Sequence, residues 1–456
     1  MLAKLLLMMV YIGSGVSVRA GENDIPSPGK LIEKVTCVAD ATQSFALYLP
    51  SNYDPAKKWP VLFCFDPGAR GRRPVECFQA GAEKFGYIVV GSNNSRNGPW
   101  PDNAKAIEAM LRETFSRWSV DRSRLYAAGL SGGARVAPQL GLSSLVRGVV
   151  ACSGAFPQSQ TPSKVPCLFF GTAGIDDFNY SELRNVDDDL DKLGAPHRIV
   201  TFAGGHEWPP AETAVEAIEW LEIQSMRVGL REKNSAVIEA SCARRLAGLS
   251  ALPIPERWLE TKSLLADFKG LVDTTELVDA EAKLAKTREL RDWRKAERAA
   301  DRQQTALIEQ WQESVTESVV ASWQKRAAAP EDSPDRRLAR RVIQGASVKA
   351  MESAREFIRN EQYAEAVARL EIATVLQPDR AGTWFELARA RALDGSKKTA
   401  LAALVQAAKR GYKDAARVEH EKAFAALKND AGFQDVLRAI AENQAAEKLS
   451  APNPKT

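Results

Sequence analysis

Ser131 stands in Gly129-Leu130-Ser131-Gly132-Gly133, directly after the apolar run Leu125-Tyr126-Ala127-Ala128 and before Ala134-Arg135-Val136-Ala137. Glycines on both sides leave room for a strained strand-to-helix turn. Such a turn lifts a hydroxyl clear of the sheet, at a helix N-terminus whose dipole favours an oxyanion. Ser131 is therefore the candidate nucleophile, and a serine hydroxyl needs a base beside it, usually a histidine. The chain has three histidines. His420 falls in the helical end of the chain, and His197 opens a strand-like run ending at Phe202, which would sit at the opposite edge of the sheet. His206, in Gly204-Gly205-His206-Glu207-Trp208-Pro209, follows the last strand and precedes a helix opened by Pro209-Pro210. From that loop its ring is expected to reach Ser131.

A third group should hold the imidazole tautomer and stabilise the imidazolium. The loop expected after the strand Cys167 to Phe170 supplies Gly171-Thr172-Ala173-Gly174-Ile175-Asp176-Asp177. Asp177 is preferred as the acid because Phe178-Asn179-Tyr180 follows as a helix-entry turn that can anchor it, with Asp176 as the alternative. The oxyanion hole needs two backbone N–H donors, one on the residue after the nucleophile, Gly132, and one from the loop after an earlier strand. That loop is Phe65-Asp66-Pro67-Gly68-Ala69-Arg70-Gly71. Pro67 has no N–H, so Gly68 or Ala69 is expected to donate, with Gly68 favoured.

These groups need a scaffold. Short apolar runs at Phe45 to Leu49, Val61 to Phe65, Tyr87 to Val90, Leu125 to Leu130, Gly148 to Cys152, Cys167 to Phe170 and Arg198 to Phe202 alternate with amphipathic stretches. The later runs are apolar without alternation, as expected of strands buried on both faces of a mostly parallel sheet. Between them, Asn103 to Trp118 carries a 3.6-residue apolar period that predicts a crossover helix with Asp102 as N-cap. Each candidate then lies on the loop after a successive strand, in the order serine, aspartate, histidine.

With these residues in view, Tyr48-Leu49-Pro50 with Asn52-Tyr53-Asp54-Pro55, the Ser131 pentapeptide and Gly204-Gly205-His206 resemble secreted bacterial α/β-hydrolases of the polyhydroxybutyrate-depolymerase and feruloyl-esterase type, over roughly Thr36 to Met226. The resemblance implies a doubly wound, mostly parallel sheet and a serine carboxylesterase acting through an acyl-enzyme without cofactor or metal. Its substrate would be a small-molecule or polymer-derived ester. Alternatives are a peptidase with the same triad and an inactive hydrolase-fold scaffold. The chain departs from the pattern in two places: Asp66-Pro67 replaces the His-Gly common at the oxyanion loop, and Gly174 stands where such enzymes often place the acid.

A length of 456 residues suggests about three units. Lys4, the apolar run Leu5 to Ile12 and Val18-Arg19-Ala20 read as a signal peptide over residues 1–20, which predicts a secreted or periplasmic protein with its catalytic domain at 21–228. The apolar run is far shorter than the ~20 residues of a membrane span. After Val228 the strand-like runs vanish, so a helical region is expected over 229–345, broken at Ala329-Pro-Glu-Asp-Ser-Pro334. Ala366 and Ala400, Leu370 and Leu404, and Ala373 and Ala407 recur at 34 residues around Pro378, Trp384, Leu387, Ala388 and Gly395. This resembles tetratricopeptide repeats over 346–445, a surface for a protein partner, before a flexible tail at 446–456.

Lys plus Arg number 62 and Asp plus Glu 58, giving +4, too weak a field to predict nucleic-acid binding. The six cysteines lack metal-ligand spacing, and Cys64, Cys152 and Cys167 are expected as free thiols inside strands. The polar segment Gly91 to Trp100 should line the cleft or simply connect. Arg70, Arg72 and Arg73 are expected to be solvated rather than to bind an anion. Trp258, Trp293, Trp311 and Trp323 are expected to anchor helix packing.

Overall fold

A computed structural model describes residues 27–157 and 161–450. The expected signal peptide therefore lies outside the described residues, as does the tail beyond residue 450. The first elements are β1 (Leu31–Thr36), β2 (Ser44–Tyr48), β3 (Trp59–Phe65), α1 (Arg72–Phe85), β4 (Ile88–Ser92), α2 (Trp100–Arg117), β5 (Val120–Leu130) and α3 (Gly133–Leu142). They are followed by β6 (Gly148–Cys152), β7 (Leu168–Gly174), α4 (Tyr180–Leu193), β8 (His197–Phe202) and α5 (Ala211–Arg227). The strands form one sheet in the order β1-β2-β4-β3-β5-β6-β7-β8. Only the pairings of β1 with β2 and β2 with β4 are antiparallel, so the sheet has the mostly parallel, doubly wound form expected of an α/β-hydrolase.

Both faces of the sheet are buried, which is why its strands read as unbroken apolar runs. Phe63, Phe65 and Ala127 join Ile107, Met110 and Leu140 on one side. Leu62, Cys64, Tyr126 and Ala128 join Phe78, Ile218 and Leu221 on the other. All six cysteines are free thiols.

Three local expectations shift. The antiparallel edge strand β1 was not foreseen; its sequence LIEKVT leaves four of six residues partly or fully exposed ahead of the buried Val35. The helix expected from Asn103 begins at Trp100, with Pro101 in its first turn, where a missing N–H costs nothing, so Asp102 lies inside the helix rather than capping it. Strand β7 does not stop at Phe170: Gly171, Thr172, Ala173 and Gly174 pair with Ile199 to Phe202 of β8, and the acid-bearing loop begins at Ile175.

The chain divides into compact units at Glu297 and Arg298, not at the expected boundary after Val228. The reason lies in the helices α6 (Ser235–Gly248), α7 (Ile254–Phe268) and α8 (Thr275–Ala285), ahead of α9 (Arg288–Glu313). Ile223 and Met226 of α5 share one apolar core with Ile238, Cys242, Leu264, Phe268 and Leu277. The buried carboxylate of Asp267 accepts from Arg198 Nη1 of β8 (3.2 Å), Arg245 Nη1 (2.6 Å) and Trp220 Nε1 (2.5 Å), a pairing that makes its burial tolerable. Trp258 packs under Arg294, with the guanidinium 4.1 Å from the ring centroid.

The second unit contains α10 (Glu317–Ala327), α11 (Pro334–Arg359), α12 (Tyr363–Leu376), α13 (Ala381–Leu393), α14 (Lys397–Lys409), α15 (Ala415–His420) and α16 (Ala431–Ser450). The break at Ala329 to Pro334 separates α10 from α11, whose N-cap is Ser333. Residues 446–450, expected in the flexible tail, continue helix α16. Ala366, Leu370 and Ala373 of α12 and Ala400, Leu404 and Ala407 of α14 are all buried, around Leu387 and Ala388 of α13. The small residues at the 34-residue spacing thus face one core. Trp311 and Trp323 meet edge to face at 5.3 Å.

Candidate active site

Ser131 sits between β5 and α3 with φ +55°, a left-handed conformation that a serine adopts only under constraint. Its N–H donates to Cys152 O at the end of β6 (2.9 Å). The glycines that frame it are required by close approach. A Cβ on Gly129 would lie 2.0 Å from Gly133 O, and one on Gly133 would lie 1.9 Å from Phe65 O. This packing seats the turn on the carboxyl ends of β3 and β5.

Asp177 is fully buried. Its Oδ1 accepts from Asn179 N–H (2.8 Å) and lies 3.0 Å from His206 Nδ1. The sequence left Asp176 and Asp177 as alternatives, and the imidazole hydrogen bond goes to Asp177. Asp176, half-buried, donates its N–H to Gly204 O (3.0 Å). The helix-entry turn anchors the acid: Tyr180 N–H bonds Asp177 O (3.0 Å), and Asn179 Nδ2 bonds Ser153 O (2.8 Å). The other carboxylate oxygen, Oδ2, is buried without a hydrogen-bond partner among the described residues. Phe178 stacks on the His206 ring with centroids 4.4 Å apart.

The loop carrying His206 is tied down at two further points. Ser153 Oγ reaches Glu207 O (3.5 Å), and Trp208 Nε1 donates to Asp66 Oδ2 (2.9 Å). The second bond links the loop after β8 to the loop after β3. The structure thus joins His206 to Asp177, but no hydrogen bond joins the half-buried Ser131 to His206. In uncomplexed hydrolytic sites this bond is often long and tightens with substrate.

The expected second oxyanion donors are both engaged elsewhere. Gly68 N–H bonds Asp66 Oδ1 (2.8 Å), and Ala69 N–H bonds Asp66 O (3.1 Å). The buried Asp66 carboxylate folds the turn inward and also takes Arg70 Nε (2.8 Å) and Nη2 (3.1 Å). Arg70 is thereby neutralised, and Arg72 pairs with Glu33 and Glu76, so neither is an idle cation. The roles of Asp66 and Trp208 were not read from the sequence, which carries no local sign that positions 142 residues apart meet.

Two other chemistries are disfavoured by the surroundings. Burial raises the Cys64 and Cys152 thiols well above their ordinary range and pushes Cys77 up to about 12, so none is a ready thiolate. Asp187, Asp191 and His197 form the one acidic and imidazole cluster of metal-binding dimensions among the described residues. Lys262 Nζ occupies it, 3.1 Å from Asp187 Oδ2 and paired with Asp191. An ammonium already balances those carboxylates. His197, at the sheet edge, is a structural partner of Asp187 (3.1 Å).

Sheet order and turn together define an α/β protein with a strained serine at the strand-to-helix elbow and an Asp–His pair on later loops. No known family profile and no curated protein matches the chain. Among solved structures it is similar to an S-formylglutathione hydrolase of Staphylococcus aureus, at 14% identity over 43% of this chain and 98% of that one, with a TM-score of 0.35. It is also similar to Est1E of Butyrivibrio proteoclasticus (13%, 43% and 100%, 0.33) and to a ferulic acid esterase (17%, 43% and 98%, 0.35). No helix among the described residues is long and apolar enough to cross a membrane.

Proposed function

We propose that the chain is a serine hydrolase cleaving carboxylic esters through an acyl-enzyme. The observation that carries this reading is the hydrogen bond from His206 to the fully buried Asp177, together with a serine held at φ +55° on a glycine-framed elbow. In the forward step Ser131 Oγ bonds to the ester carbonyl carbon while His206 Nε2 takes the hydroxyl proton. Asp177 holds the Nδ1–H tautomer and stabilises the imidazolium. The tetrahedral oxyanion collapses, the C–O bond breaks, and the alcohol leaves with the proton from His206. Water then repeats the sequence on the acyl-serine, releasing the carboxylic acid and restoring Ser131. Gly132 N–H, at the N-terminus of α3, is one donor to the oxyanion.

The basic and apolar start of the chain and its small residues at Val18-Arg19-Ala20 support export to the periplasm or beyond. The repeat-like helices of the second unit support a role in holding a protein partner. A fluorophosphonate probe tests the central claim. Labelling mapped to Ser131, lost in Ser131→Ala and strongly slowed in His206→Ala, is expected. Folded protein that does not label would favour a binding scaffold, and turnover of aminoacyl amides in preference to activated esters would make it a peptidase.

A further inference from the structure

Resting on that reading, we propose that the side-chain amide of Asn97 is the second oxyanion donor, in place of a backbone N–H from the loop after β3. Backbone donors are scarce in that loop. Pro67 has no N–H, and those of Gly68 and Ala69 are both bonded to Asp66. A second donor is needed beside Gly132, because a tetrahedral oxyanion held at one point loses much of its stabilisation.

Asn97 stands at that point. Its Oδ1 lies so close over Gly132 that a Cβ there would be only 1.7 Å away. The carboxamide thus fills the space a side chain on residue 132 would take. Among the described residues that amide makes no hydrogen bond, and Asn97 is exposed, so a ligand atom can reach it. Rotation about its terminal bond exchanges Oδ1 and Nδ2, so an arriving oxyanion meets an N–H in the place now taken by the oxygen.

The backbone beneath it is firmly built, which preorganisation requires. Asn97 N–H bonds Pro67 O (2.9 Å). The preceding residues are tied by the buried Asn103, whose Oδ1 accepts from Ser95 Oγ (2.7 Å) and Arg96 N–H (3.0 Å) and whose Nδ2 donates to Arg96 O (3.0 Å). None of these bonds uses the Asn97 side chain, so truncating it leaves the loop intact. Asp66-Pro67 and Asn97 then form one arrangement: the turn that withholds its own donors accepts the backbone N–H that fixes Asn97.

The test compares wild type with Asn97→Ala and Asn97→Asp on p-nitrophenyl acetate, with thermal unfolding as the check on folding. For Asn97→Ala, kcat is expected to fall about 10²–10³-fold, the cost of one oxyanion donor, with KM within about threefold. Asn97→Asp keeps the shape and replaces the donor by a negative charge, so it should lose more. Affinity for an aryl trifluoromethyl ketone, which forms a tetrahedral alkoxide on Ser131, should fall in parallel, while affinity for the unfluorinated ketone holds. A merely structural role would not split the two ketones. Wild type labelled at Ser131 by a fluorophosphonate, with a folded Asn97→Ala variant keeping kcat within threefold, would overturn the proposal and leave the hydrolase reading standing. Wild type without labelling or turnover would overturn both.

Discussion

Replacing Asp177 by asparagine separates the two adjacent aspartates and tests the orientation of His206 directly. Asp177 Oδ1 receives two N–H groups, from Asn179 and His206, whereas Oδ2 is buried with no partner among the described residues. If asparagine keeps its oxygen on that pair, its NH₂ enters the partnerless site and leaves a buried donor unsatisfied, at about 1–3 kcal/mol. If the amide turns over, an N–H faces Nδ1 and forces the proton onto Nε2, where it cannot accept the Ser131 proton. Either way the imidazolium loses its carboxylate. The expected loss in kcat is about 10⁴-fold, by analogy with the triads of serine hydrolases, equivalent to about 5.4 kcal/mol at 1.36 kcal/mol per decade. Asp176→Asn should change kcat less than about threefold. The assay is p-nitrophenyl acetate hydrolysis under saturating substrate, with denaturant unfolding to measure the accompanying loss of stability. An Asp177→Asn enzyme retaining a tenth of the activity, or an Asp176→Asn enzyme losing a thousandfold, would refute the assignment of the acid.

Three further outcomes are expected. Asp66→Ala strands the half-buried indole N–H of Trp208, at up to about 1–3 kcal/mol, and frees the exposed amide of Gly68 to water, so its unfolding midpoint and its turnover should both fall; unchanged values for both would show that the bridge between the two loops is idle. His197 titrates above its ordinary 6.5: burial opposes its charge, but the hydrogen bonds to Asp187 and Ala195 O and the carboxylates of Asp187 and Asp191 outweigh it. Its contribution to stability is therefore full below about pH 6.5 and lost as pH rises through the raised value, so melting curves from pH 5 to 9 should fall more steeply for wild type than for His197→Gln. Leu370→Ala, at a buried position of α12, should lower the stability of the second unit by about 2–5 kcal/mol, read by thermal unfolding.

What could be read from the sequence depended on whether the cause was local. The Ser131 elbow is local: a strand run, two glycines and a helix start lie within a dozen residues, and the close approaches of Gly129 and Gly133 explain why those positions carry no side chain. The parallel strands were legible for a similar reason, since burial on both faces leaves an unbroken apolar run. Strand β1 was not, because it lies at an edge and mixes exposed with buried residues. The extent of β7 was hidden too. Gly171 and Gly174 look like loop residues, yet Cβ atoms there would lie within 2.5 Å of Ile199 Cδ1 and 2.2 Å of Gly204 O, so glycine marks tight packing rather than a turn. The composition change after Val228 is genuine, but composition reports secondary structure and not which core a helix joins.

Asp66-Pro67 shows the limit most clearly. As a dipeptide it registers only as a departure from His-Gly, and removing one N–H suggested that the next residue would donate instead. The fold gives the aspartate four donors: Gly68 N–H, two nitrogens of Arg70 and the indole of Trp208. A buried carboxylate needs such partners, and gathering them is what takes up the Gly68 amide. A position where a backbone donor was expected thus becomes the strut between two loops, and the second donor that we propose beside Gly132 N–H is a neighbouring side chain.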